Sequence, residues 1–492
     1  MRVCFIAEGC YPYSVGGVSS WINSMIKMYP NIEFVLVTII PDRSFSGKFV
    51  YDLPDNLVEV YETYLQDDDW SKNGKKIKKL KLKENETKAI RDLVFGRDCD
   101  WDCLFELCNK KKISVNDLLM GTEFFHAVTD LYDREYPEIP YTDFLWTMRS
   151  ICLPLFLLLK SEIPKADIYH SVATGYAGVI GSMAKHLYGG SLIISEHGIY
   201  TREREEDLIR ANWLRNEYKD IWINQFHIMS NLAYSRADIV TSLFAHAREL
   251  QIELGCNEEK TIITPNGINV DNFKDIPGKT ENDDGYINIG SVMRISPIKD
   301  VKTMLLAFSH AKKEIKNLRL WLMGPEDDEQ YAKECHDLVE ILEIQDVIFT
   351  GMVKVSEYLG RMDFMVLTSI SEGQPLTILE SYAAKKPVIA TDVGNCRGLI
   401  YGELDDELGS AGILTHIMNV DEISKAMVEL ALSPQMRERM GEVGYQRLLS
   451  KYKIDDMRKS YINVYKQMAD LAGCKWNEDT FSTEVIAPSS QN

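Results

Sequence analysis

The sequence predicts an α/β protein made of two doubly wound parallel-sheet domains. Short apolar strands alternate with helical stretches in two separate series, and this alternation is typical of parallel sheets covered by helices. A polar stretch with Pro277 and Gly278, residues 275–284, separates the two series and is the strongest linker candidate. A chain of 492 residues is also too long for one ordinary core, so its length fits two domains.

The first series fills the N-terminal part of the chain. Its expected strands are short apolar runs that end near polar residues, at 2–7, 34–40, 166–170, 192–195 and 237–243. From about residue 42 to residue 150 the alternation breaks, and we interpret this stretch as a largely helical insertion. Its lysine-rich run, 72–83, is more typical of a solvated helix face than of a binding patch.

The second series follows the linker candidate. Its expected strands lie at 286–293, 318–323, 347–350, 364–368 and 387–391. We therefore expect an N-terminal domain over 1–280 and a C-terminal domain over 281–452. A last helix, 454–471 within 453–475, need not belong to the second domain, and residues 476–492 form a short polar tail.

Composition and charge exclude several classes of function. The 55 Lys and Arg against 74 Asp and Glu give a net charge of −19, which repels nucleic acid and anionic lipid at long range. The start of the chain has no signal-peptide pattern, and the longest apolar run, 151–159, contains Pro154 and is too short to span a bilayer. Of the ten cysteines, Cys99, Cys103 and Cys108 lie close together, but their spacing matches no zinc pattern and no His is nearby in sequence. The acidic clusters at 67–69 and 98–102 are more typical of solvated faces. We expect a cytoplasmic protein with free thiols that holds no metal, binds no nucleic acid and does not insert into a membrane.

The stretch from the strand at 364–368 to Glu380 is the first candidate for a ligand site. Gly373 lets the backbone approach a ligand closely, and a helix that starts near Pro375 offers free N–H groups to phosphate. Glu372 and Glu380 suit hydroxyl groups, because a carboxylate accepts two hydrogen bonds from a vicinal diol. A helix N-terminus whose dipole favours acidic residues explains the stretch about as well.

Two cations precede this stretch in the same domain. Arg294 falls at the end of an expected strand, and Lys299 lies just before the next helix. In open parallel sheets ligands bind beyond the carboxyl ends of the strands, so the pair is placed to clamp a diphosphate and to stabilise it as a leaving group. The plain alternative is two surface cations.

In the first domain, Gly16 and Gly17 lie between a strand and a helix, where a simple turn explains them as well as a phosphate site does. The sequence has no complete dinucleotide fingerprint and no P-loop. His170 and His197 end two expected strands, which favours a functional reading over satisfied core histidines. Glu196 precedes the second histidine, and Arg202 follows it.

Together these residues resemble the family-4 retaining glycosyltransferases of GT-B fold, in which two Rossmann-like domains face a central cleft. The resemblance rests on the two glutamates with seven residues between them, on the two cations, and on residues 263–269 (Ile-Thr-Pro-Asn-Gly-Ile-Asn). It covers most of residues 1–20 and 165–470. Segments 167–178 and 196–204, with the long insertion before them, resemble more closely the PelF-type cytosolic transferases of Pel exopolysaccharide synthesis.

The resemblance implies a role for each candidate residue. Arg294 and Lys299 would hold the diphosphate, Glu380 the ribose hydroxyls and Glu372 the hydroxyls of the donor sugar. His197 would lie near the reacting sugar. The remaining residues implied to bind substrate are Gly16, Gly17, His170, Glu196, Arg202, Gly373, Gln374, Pro375, Leu376 and Thr377. One departure is that the family often has Lys-Gly where this chain has Lys299-Asp300.

The implied function is a metal-independent, retaining hexosyl transfer from a UDP-sugar, with glucose favoured, to a growing exopolysaccharide. The UDP-sugar is then a co-substrate, and no bound cofactor is expected. The implied partners are the donor, a polysaccharide acceptor and inner-membrane components of a polysaccharide synthase, and the last helix is expected to cross back onto the first domain. Two alternatives stay open: a catalytically silent UDP-sugar-binding scaffold subunit, and a nucleotide-sugar epimerase of the same fold.

Overall fold

The computed structural model describes residues 1–66, 80–111, 113–211, 214–403 and 406–476. The acidic cluster at 67–69, most of the lysine-rich run and the tail from residue 477 lie outside the described residues. The described chain divides into two compact units. The first comprises residues 1–242, 248–262 and 462–476, and the second comprises 243–247 and 263–461.

The first unit is built on a parallel sheet of seven strands, in the order β3-β2-β1-β4-β5-β6-β7. The order reverses between β1 and β4, which is the position where open α/β sheets bind ligands. The strands are β1 (Arg2–Glu8), β2 (Glu33–Ile40), β3 (Leu57–Tyr64), β4 (Ile168–Ser171), β5 (Ser191–Ser195), β6 (Ile239–Ser242) and β7 (Thr261–Ile263).

Helices cover both faces of this sheet, so a central strand such as β1 is a continuous apolar run with its middle residues fully buried. The helices of this part of the chain are α1 (Gly17–Met28), α2 (Glu84–Val94), α3 (Trp101–Lys110), α4 (Val115–Leu119), α5 (Thr122–Glu135), α6 (Tyr141–Leu159), α7 (Tyr176–Tyr188), α8 (Tyr200–Arg210), α9 (Asn216–Arg236) and α10 (Ala245–Glu253). Helices α2 to α6 share one apolar core with the sheet.

The expected helical insertion at 42–150 is wrong at its beginning, because β3 lies inside it as an edge strand of the sheet. The strand pairs with β2 in parallel register. Glu59 and Glu62 interrupt its apolar residues, and only Leu57 and Thr63 among its eight residues are buried. Because an edge strand is only partly buried, it lacks the continuous apolar run that revealed the central strands.

Helix α6 is longer than the apolar run that the sequence showed. It begins at Tyr141 and continues through Pro154 without ending. Within the described residues it is the one helix long and apolar enough, by length and composition, to cross a membrane. Its Phe144, Met148 and Leu155 are buried in the core of the first unit.

The second unit has a parallel sheet of six strands in the order β10-β9-β8-β11-β12-β13, which reverses between β8 and β11. Its strands are β8 (Ile287–Val292), β9 (Leu318–Met323), β10 (Val347–Gly351), β11 (Phe364–Leu367), β12 (Val388–Thr391) and β13 (Gly412–Thr415). The helices are α11 (Val301–Glu314), α12 (Glu329–Ile341), α13 (Ser356–Leu359), α14 (Leu376–Ala383), α15 (Cys396–Tyr401), α16 (Val420–Leu432), α17 (Pro434–Lys451) and α18 (Ile454–Ala472). The strands that the sequence predicted in both units are confirmed.

The linker expected at 275–284 is instead a packed part of the second unit. The Asp283 side chain is fully buried and accepts hydrogen bonds from Arg361 at 2.9 Å and from Asn288 at 3.1 Å. A Cβ on Gly360 would lie 2.2 Å from the carbonyl oxygen of Pro277, so the segment runs tightly over its neighbours. The chain passes from the first unit to the second between residues 262 and 263, and not near residue 280 as predicted. The predicted linker has the composition of a linker, but its buried ion pair fixes it within the second unit.

The last helix, α18, is divided between the units. Residues 454–461 belong to the second unit, where the Ile454 amide donates to the carbonyl of Ile268 at 2.9 Å. From residue 462 onward it belongs to the first unit. There the Met468 carbonyl accepts a hydrogen bond from the Ser191 hydroxyl at 3.1 Å.

Candidate active site

Two neighbouring loops of the second unit form the main candidate site, at the carboxyl ends of β8 and β11. The Thr368 hydroxyl, directly after β11, lies 3.0 Å from the Lys299 carbonyl oxygen and 3.1 Å from that of Asp300. The Ile370 amide donates to the Ile298 carbonyl at 2.9 Å. These contacts hold the loop that carries the predicted cations beside the loop that carries Glu372 and leads into the helix of Glu380.

The structure brings Lys299 and Glu372 into direct contact. The ammonium nitrogen lies 2.5 Å from a carboxylate oxygen, and the two side chains are only 19% and 12% exposed. The pair is therefore shielded from solvent far more than an ordinary surface ion pair. An incoming phosphate oxygen can take the place of the carboxylate, because both are acceptors for the same ammonium donors.

Arg294 lies on the loop after β8 and has a different partner. Its guanidinium donates to the Asp327 carboxylate at 2.9 Å, and its side chain is 53% exposed. An exposed ion pair contributes only about 0–1 kcal/mol, so this guanidinium is easily released to a stronger anion. Sequence reasoning missed Asp327, although the acidic run that follows β9 was a visible signal.

Asp300 stands where the family often has glycine, and the backbone conformation at this position explains the glycine. Its φ of 48° lies in the left-handed region, which Asp tolerates better than most residues. Its carboxylate also caps α11 by accepting from the Thr303 amide at 3.4 Å. The substitution thus keeps the loop conformation and adds a helix cap.

The backbone from residue 373 to residue 377 leads into α14, with Pro375 as its N-cap and Leu376 as its first residue. The Gln374 side chain is not available to a substrate, but the role implied for this residue belongs to the backbone of residues 373–377, and that role stays a prediction. The side-chain amide of Gln374 is clamped to the Asn266 backbone, accepting at 2.9 Å and donating at 3.2 Å. Thr377, partly buried in the first turn, remains a candidate together with the helix N–H groups.

A tight turn that sequence reasoning missed supports the acidic loop. A Cβ on Gly394 would lie 2.0 Å from the Glu372 carbonyl oxygen, and this glycine has a φ of 51°. The next residue, Asn395, donates its amide to the Gly373 carbonyl at 2.8 Å. The sequence signal was the Gly-Asn pair shortly after the strand that ends at Thr391.

Glu380 lies inside α14 and is partly buried. Its carboxyl group has no hydrogen-bond partner in the parts of the chain that the structure describes. Burial raises its pKa to about 7, since a charged carboxylate without partners is disfavoured away from water. A ligand that donates two hydrogen bonds would satisfy this group.

In the first unit, Gly16 and Gly17 lie at the N-terminus of α1, with Gly16 as the N-cap. The φ of Gly16 is −179°, an extended conformation that any residue adopts. A Cβ built on either glycine meets nothing within 4 Å. Neither packing nor backbone geometry within this unit therefore requires glycine here, and the space beside the helix N-terminus is open.

His197 lies two residues beyond the end of β5, against the ring of Trp21 on α1, with 4.5 Å between the ring centroids. Its Nε2 atom is buried and has no hydrogen-bond partner within the described chain. Burial lowers its pKa to about 4, so the imidazole is neutral near pH 7. It can therefore donate or accept a hydrogen bond without carrying charge.

His170 and Glu196 are structural residues, which contradicts their predicted contact with substrate. His170 is fully buried, and its ring nitrogens bond to the Tyr465 hydroxyl at 2.9 Å and the Ser195 hydroxyl at 2.7 Å. Glu196 is buried and accepts hydrogen bonds from the side chains of Thr174, Tyr234 and Gln251. Both groups are thus already satisfied by the protein.

Arg202 lies in the first turn of α8 and is exposed to solvent, and its predicted role stays a prediction. The next arginine on that helix, Arg204, lies 3.9 Å from Glu8 at the end of β1. Among the described residues no three His, Cys, Asp or Glu side chains are grouped as metal ligands.

Comparison with known protein families agrees with this geometry. Residues 1–259 match the family described as a domain of unknown function, DUF3492. The chain belongs to the DUF3492 family. Residues 272–447 of this DUF3492 chain match the family described as glycosyl transferases group 1, so the unit that carries the candidate site is a glycosyltransferase domain.

The DUF3492 chain is also similar to curated proteins and to solved structures. The alpha-monoglucosyldiacylglycerol synthase of Streptococcus pneumoniae is 34% identical over 209 residues, which cover 37% of this chain and 46% of that protein. The chain thus matches less than half the length of that relative. HepE of Anabaena, solved in complex with UDP, is 14% identical with a TM-score of 0.61 over 95% of this chain and 100% of that one.

Sucrose-phosphate synthase of Thermosynechococcus elongatus has a TM-score of 0.60 and 14% identity, over 96% of this chain and 99% of that one. These likenesses confirm the GT-B fold that the sequence predicted for the DUF3492 chain. The resemblance to glycosyltransferases is confirmed at the level of the group 1 domain.

Proposed function

We propose that this chain is a retaining hexosyltransferase that moves a hexose, with glucose favoured, from a UDP-sugar onto a growing exopolysaccharide. The observation that carries the proposal is the shielded contact of Lys299 with Glu372 on the loop that leads into α14, together with Glu380 on that helix. These residues supply a cation for a diphosphate, a carboxylate for sugar hydroxyls and a partly buried carboxyl for a diol. HepE, a structural neighbour, is solved with UDP and with UDP-glucose, which supports the choice of donor.

In the proposed reaction the bond between the anomeric carbon and the β-phosphate oxygen breaks, and UDP leaves. The acceptor oxygen bonds to the same face of the sugar, and its proton passes to the departing phosphate. Arg294 and Lys299 would stabilise the negative charge that develops on the phosphate, aided by the N–H groups of α14. Two cations and a helix N-terminus can supply this stabilisation without a metal ion, so we expect turnover to survive chelation.

The donor would be held at both ends. Glu380 would accept the two ribose hydroxyls, and Glu372 the hydroxyls of the hexose. The resemblance also gives His197 a contact with the reacting sugar, for which its neutral imidazole and unpartnered Nε2 are suited. The open space beside Gly16 and Gly17 is suited to the donor phosphates.

The acceptor and partners are proposed from the closer resemblance to the PelF-type transferases. This resemblance favours a polysaccharide acceptor and inner-membrane synthase components as partners of a cytoplasmic subunit. The relative in Streptococcus pneumoniae is named for a glycosyldiacylglycerol product, so a lipid acceptor belongs in the same test.

A UDP-release screen over several UDP-hexoses, with oligosaccharide and diacylglycerol acceptors, tests the proposal. We expect UDP release with one UDP-hexose and an α-linked product by NMR, with and without EDTA. Lys299→Ala should lower turnover about tenfold to a thousandfold, on oxyanion-stabilisation precedent. Lys333→Ala, which removes a 77% exposed lysine from α12, is the matched control and should turn over as wild type.

The other outcomes separate the alternatives. Binding of UDP-glucose without transfer to any acceptor, even with membrane extracts present, would identify a scaffold subunit. Conversion of the sugar to its epimer would identify an epimerase. An inverted product, or activity that requires a divalent ion, would contradict the proposed mechanism while leaving a transferase.

A further inference from the structure

The Gln374 side chain makes a two-point contact with the backbone of one residue that is distant in sequence. The side chain is buried, and its Oε1 atom accepts a hydrogen bond from the Asn266 amide at 2.9 Å. Its Nε2 atom donates a hydrogen bond to the Asn266 carbonyl at 3.2 Å. A reversed side-chain amide would set donor against donor and acceptor against acceptor, so the two partners fix its orientation. This pair of hydrogen bonds is named the clamp.

The clamped asparagine belongs to a firmly held segment, residues 263–268, with which the chain passes from the first unit into the second. The Ile268 amide donates to the Tyr452 carbonyl at 3.0 Å. A Cβ on Gly267 would collide with the Lys453 carbonyl, so the segment already lies as close to this neighbour as a backbone can. The clamp is therefore attached to a fixed part of the second unit and not to another loop.

On its other side the clamp holds the acidic loop between Glu372 and α14. Gln374 directly precedes Pro375, the N-cap of that helix. The helix is fixed by its own apolar side chains, such as Ile378, which are buried in the core of the unit. Residues 370–373 are only partly buried, so the clamp is the first buried side-chain anchor on the stretch that carries the acidic group.

The clamp has its largest effect once the donor is bound. Without donor, the Glu372 carboxylate is held by the Lys299 ammonium at 2.5 Å. In the proposed complex the diphosphate takes this ammonium, so the carboxylate exchanges its ion-pair partner for the hexose hydroxyls. The position of Glu372 then depends on the backbone of its loop. Two contacts hold the loop after this residue: the Asn395 amide donates to the Gly373 carbonyl at 2.8 Å, and the clamp follows directly.

We propose that Gln374 is a positioning residue of the transferase, whose clamp sets the acidic loop so that Glu372 reaches the hexose of the donor. The inference rests on the proposed transferase function and adds a side chain that acts without touching the donor. An apolar side chain cannot bond to the Asn266 backbone, so the loop would shift to find other partners for these buried groups. A displacement of about 1 Å near a reacting centre can lower turnover about a hundredfold.

Gln374→Met tests the clamp in the full chain, because it keeps the length of the side chain and removes both hydrogen bonds. Calorimetry with UDP and with UDP-glucose separates the two ends of the donor. We expect the Kd for UDP-glucose to rise about tenfold, since the hexose contact of Glu372 is lost. The Kd for UDP should change by less than about twofold, because Lys299 and Glu380 lie on elements that the clamp does not hold. With the UDP-hexose that the release screen selects, kcat should fall about tenfold to a hundredfold.

Tyr382→Phe is the matched control. It removes another buried hydrogen bond of the second unit between a side chain and the backbone, from the Tyr382 hydroxyl to the Leu399 carbonyl at 3.0 Å. Both variants should lower the free energy of unfolding, but Tyr382→Phe should keep both Kd values and kcat at the wild-type level. Hydrogen exchange of the peptide that contains Asn266 should be faster in Gln374→Met and unchanged in the control, because only the first variant releases the Asn266 amide.

The inference is overturned when Gln374→Met binds UDP-glucose as wild type, or when it loses UDP affinity in step with UDP-glucose affinity, which is the signature of a distorted site. It is also overturned when Tyr382→Phe lowers kcat and UDP-glucose affinity as much as Gln374→Met does, since lost stability then explains both. Failure of the proposed function looks different: the wild type binds UDP-glucose but releases no UDP from any UDP-hexose, while the two Kd values still report on the clamp. A wild type that binds neither UDP nor UDP-glucose overturns both.

Discussion

The pKa of Glu380 predicts how donor affinity depends on pH. The group is protonated below pH 7 in the unliganded chain because burial raises its pKa to about 7. The ionised carboxylate accepts a hydrogen bond from a diol on each of its two oxygens, whereas the protonated group keeps an O–H donor on one of them, so we expect binding of UDP-glucose to ionise it. The affinity for UDP-glucose should therefore rise as the pH rises through 7. A site that needed the protonated acid would lose affinity over the same range.

The magnitude follows from the ionised fraction. For a pKa of about 7, roughly a tenth of the groups are ionised at pH 6 and roughly nine tenths at pH 8. The apparent Kd is the intrinsic Kd divided by the competent fraction, so UDP-glucose should bind about tenfold more tightly at pH 8 than at pH 6. UDP-glucose suits the assay because, unlike UDP, its phosphates do not titrate in this range.

The assay is isothermal calorimetry of wild type and Glu380→Gln from pH 6 to pH 8. The amide cannot ionise and loses a charge-assisted hydrogen bond of about 1.5–3 kcal/mol, so at pH 8 it should bind about tenfold to a hundredfold more weakly. At pH 6 the wild-type group is mostly neutral, and the two affinities should approach each other. Parallel pH profiles for the two proteins would refute the reasoning, since some other group would then set the dependence.

Three further predictions test the backbone of the site. Gly17→Ala should keep a free energy of unfolding within about 1 kcal/mol of wild type, since a Cβ there would meet nothing within 4 Å, yet it should bind UDP-glucose at least about tenfold more weakly by calorimetry. Gly278→Ala, where a Cβ also meets nothing within 4 Å, is the control and should bind as wild type. Gly394→Ala should lower kcat/KM at least about tenfold, because its Cβ would collide with the backbone of the acidic loop. Gly409→Ala also places a side chain on a left-handed backbone, but its Cβ would meet no atom within 4 Å, so this control should keep its activity. Asp300→Gly should raise the free energy of unfolding, measured in urea, by about 1 kcal/mol, because the left-handed strain that it relieves exceeds the few tenths of a kcal/mol lost with the helix cap. A clear fall in the free energy of unfolding would contradict this account.

The central strands and the acidic loop were predictable because their signals are local. A strand buried on both faces is a continuous apolar run, and both sheets contain several. The contact between Lys299 and Glu372 could also be anticipated, since parallel strands end at one edge of a sheet. The pairing of Arg294 with Asp327 could not, because it depends on which of several acids the fold places nearest.

The boundary between the units was hidden by a feature that composition does not show. Residues 275–284 are polar and contain Pro and Gly, as a linker would. Their place in the second unit depends on Asp283, whose charge is compensated by Arg361 from a distant part of the chain. A buried charge with its partner is stable in a core, but the partner is visible only once the chain has folded.

The two histidines show why the end of a strand must be located to the residue. The predicted strands ended at 170 and 195, so both side chains were expected at the open edge of the sheet. In the structure β4 extends to Ser171, and His170 therefore lies inside a strand whose two faces are covered by helices. His197 lies two residues beyond the end of β5, where the chain has left the sheet and its Nε2 meets no protein partner within the described chain. A shift of a few residues thus separates a satisfied core histidine from one that is free to meet a ligand.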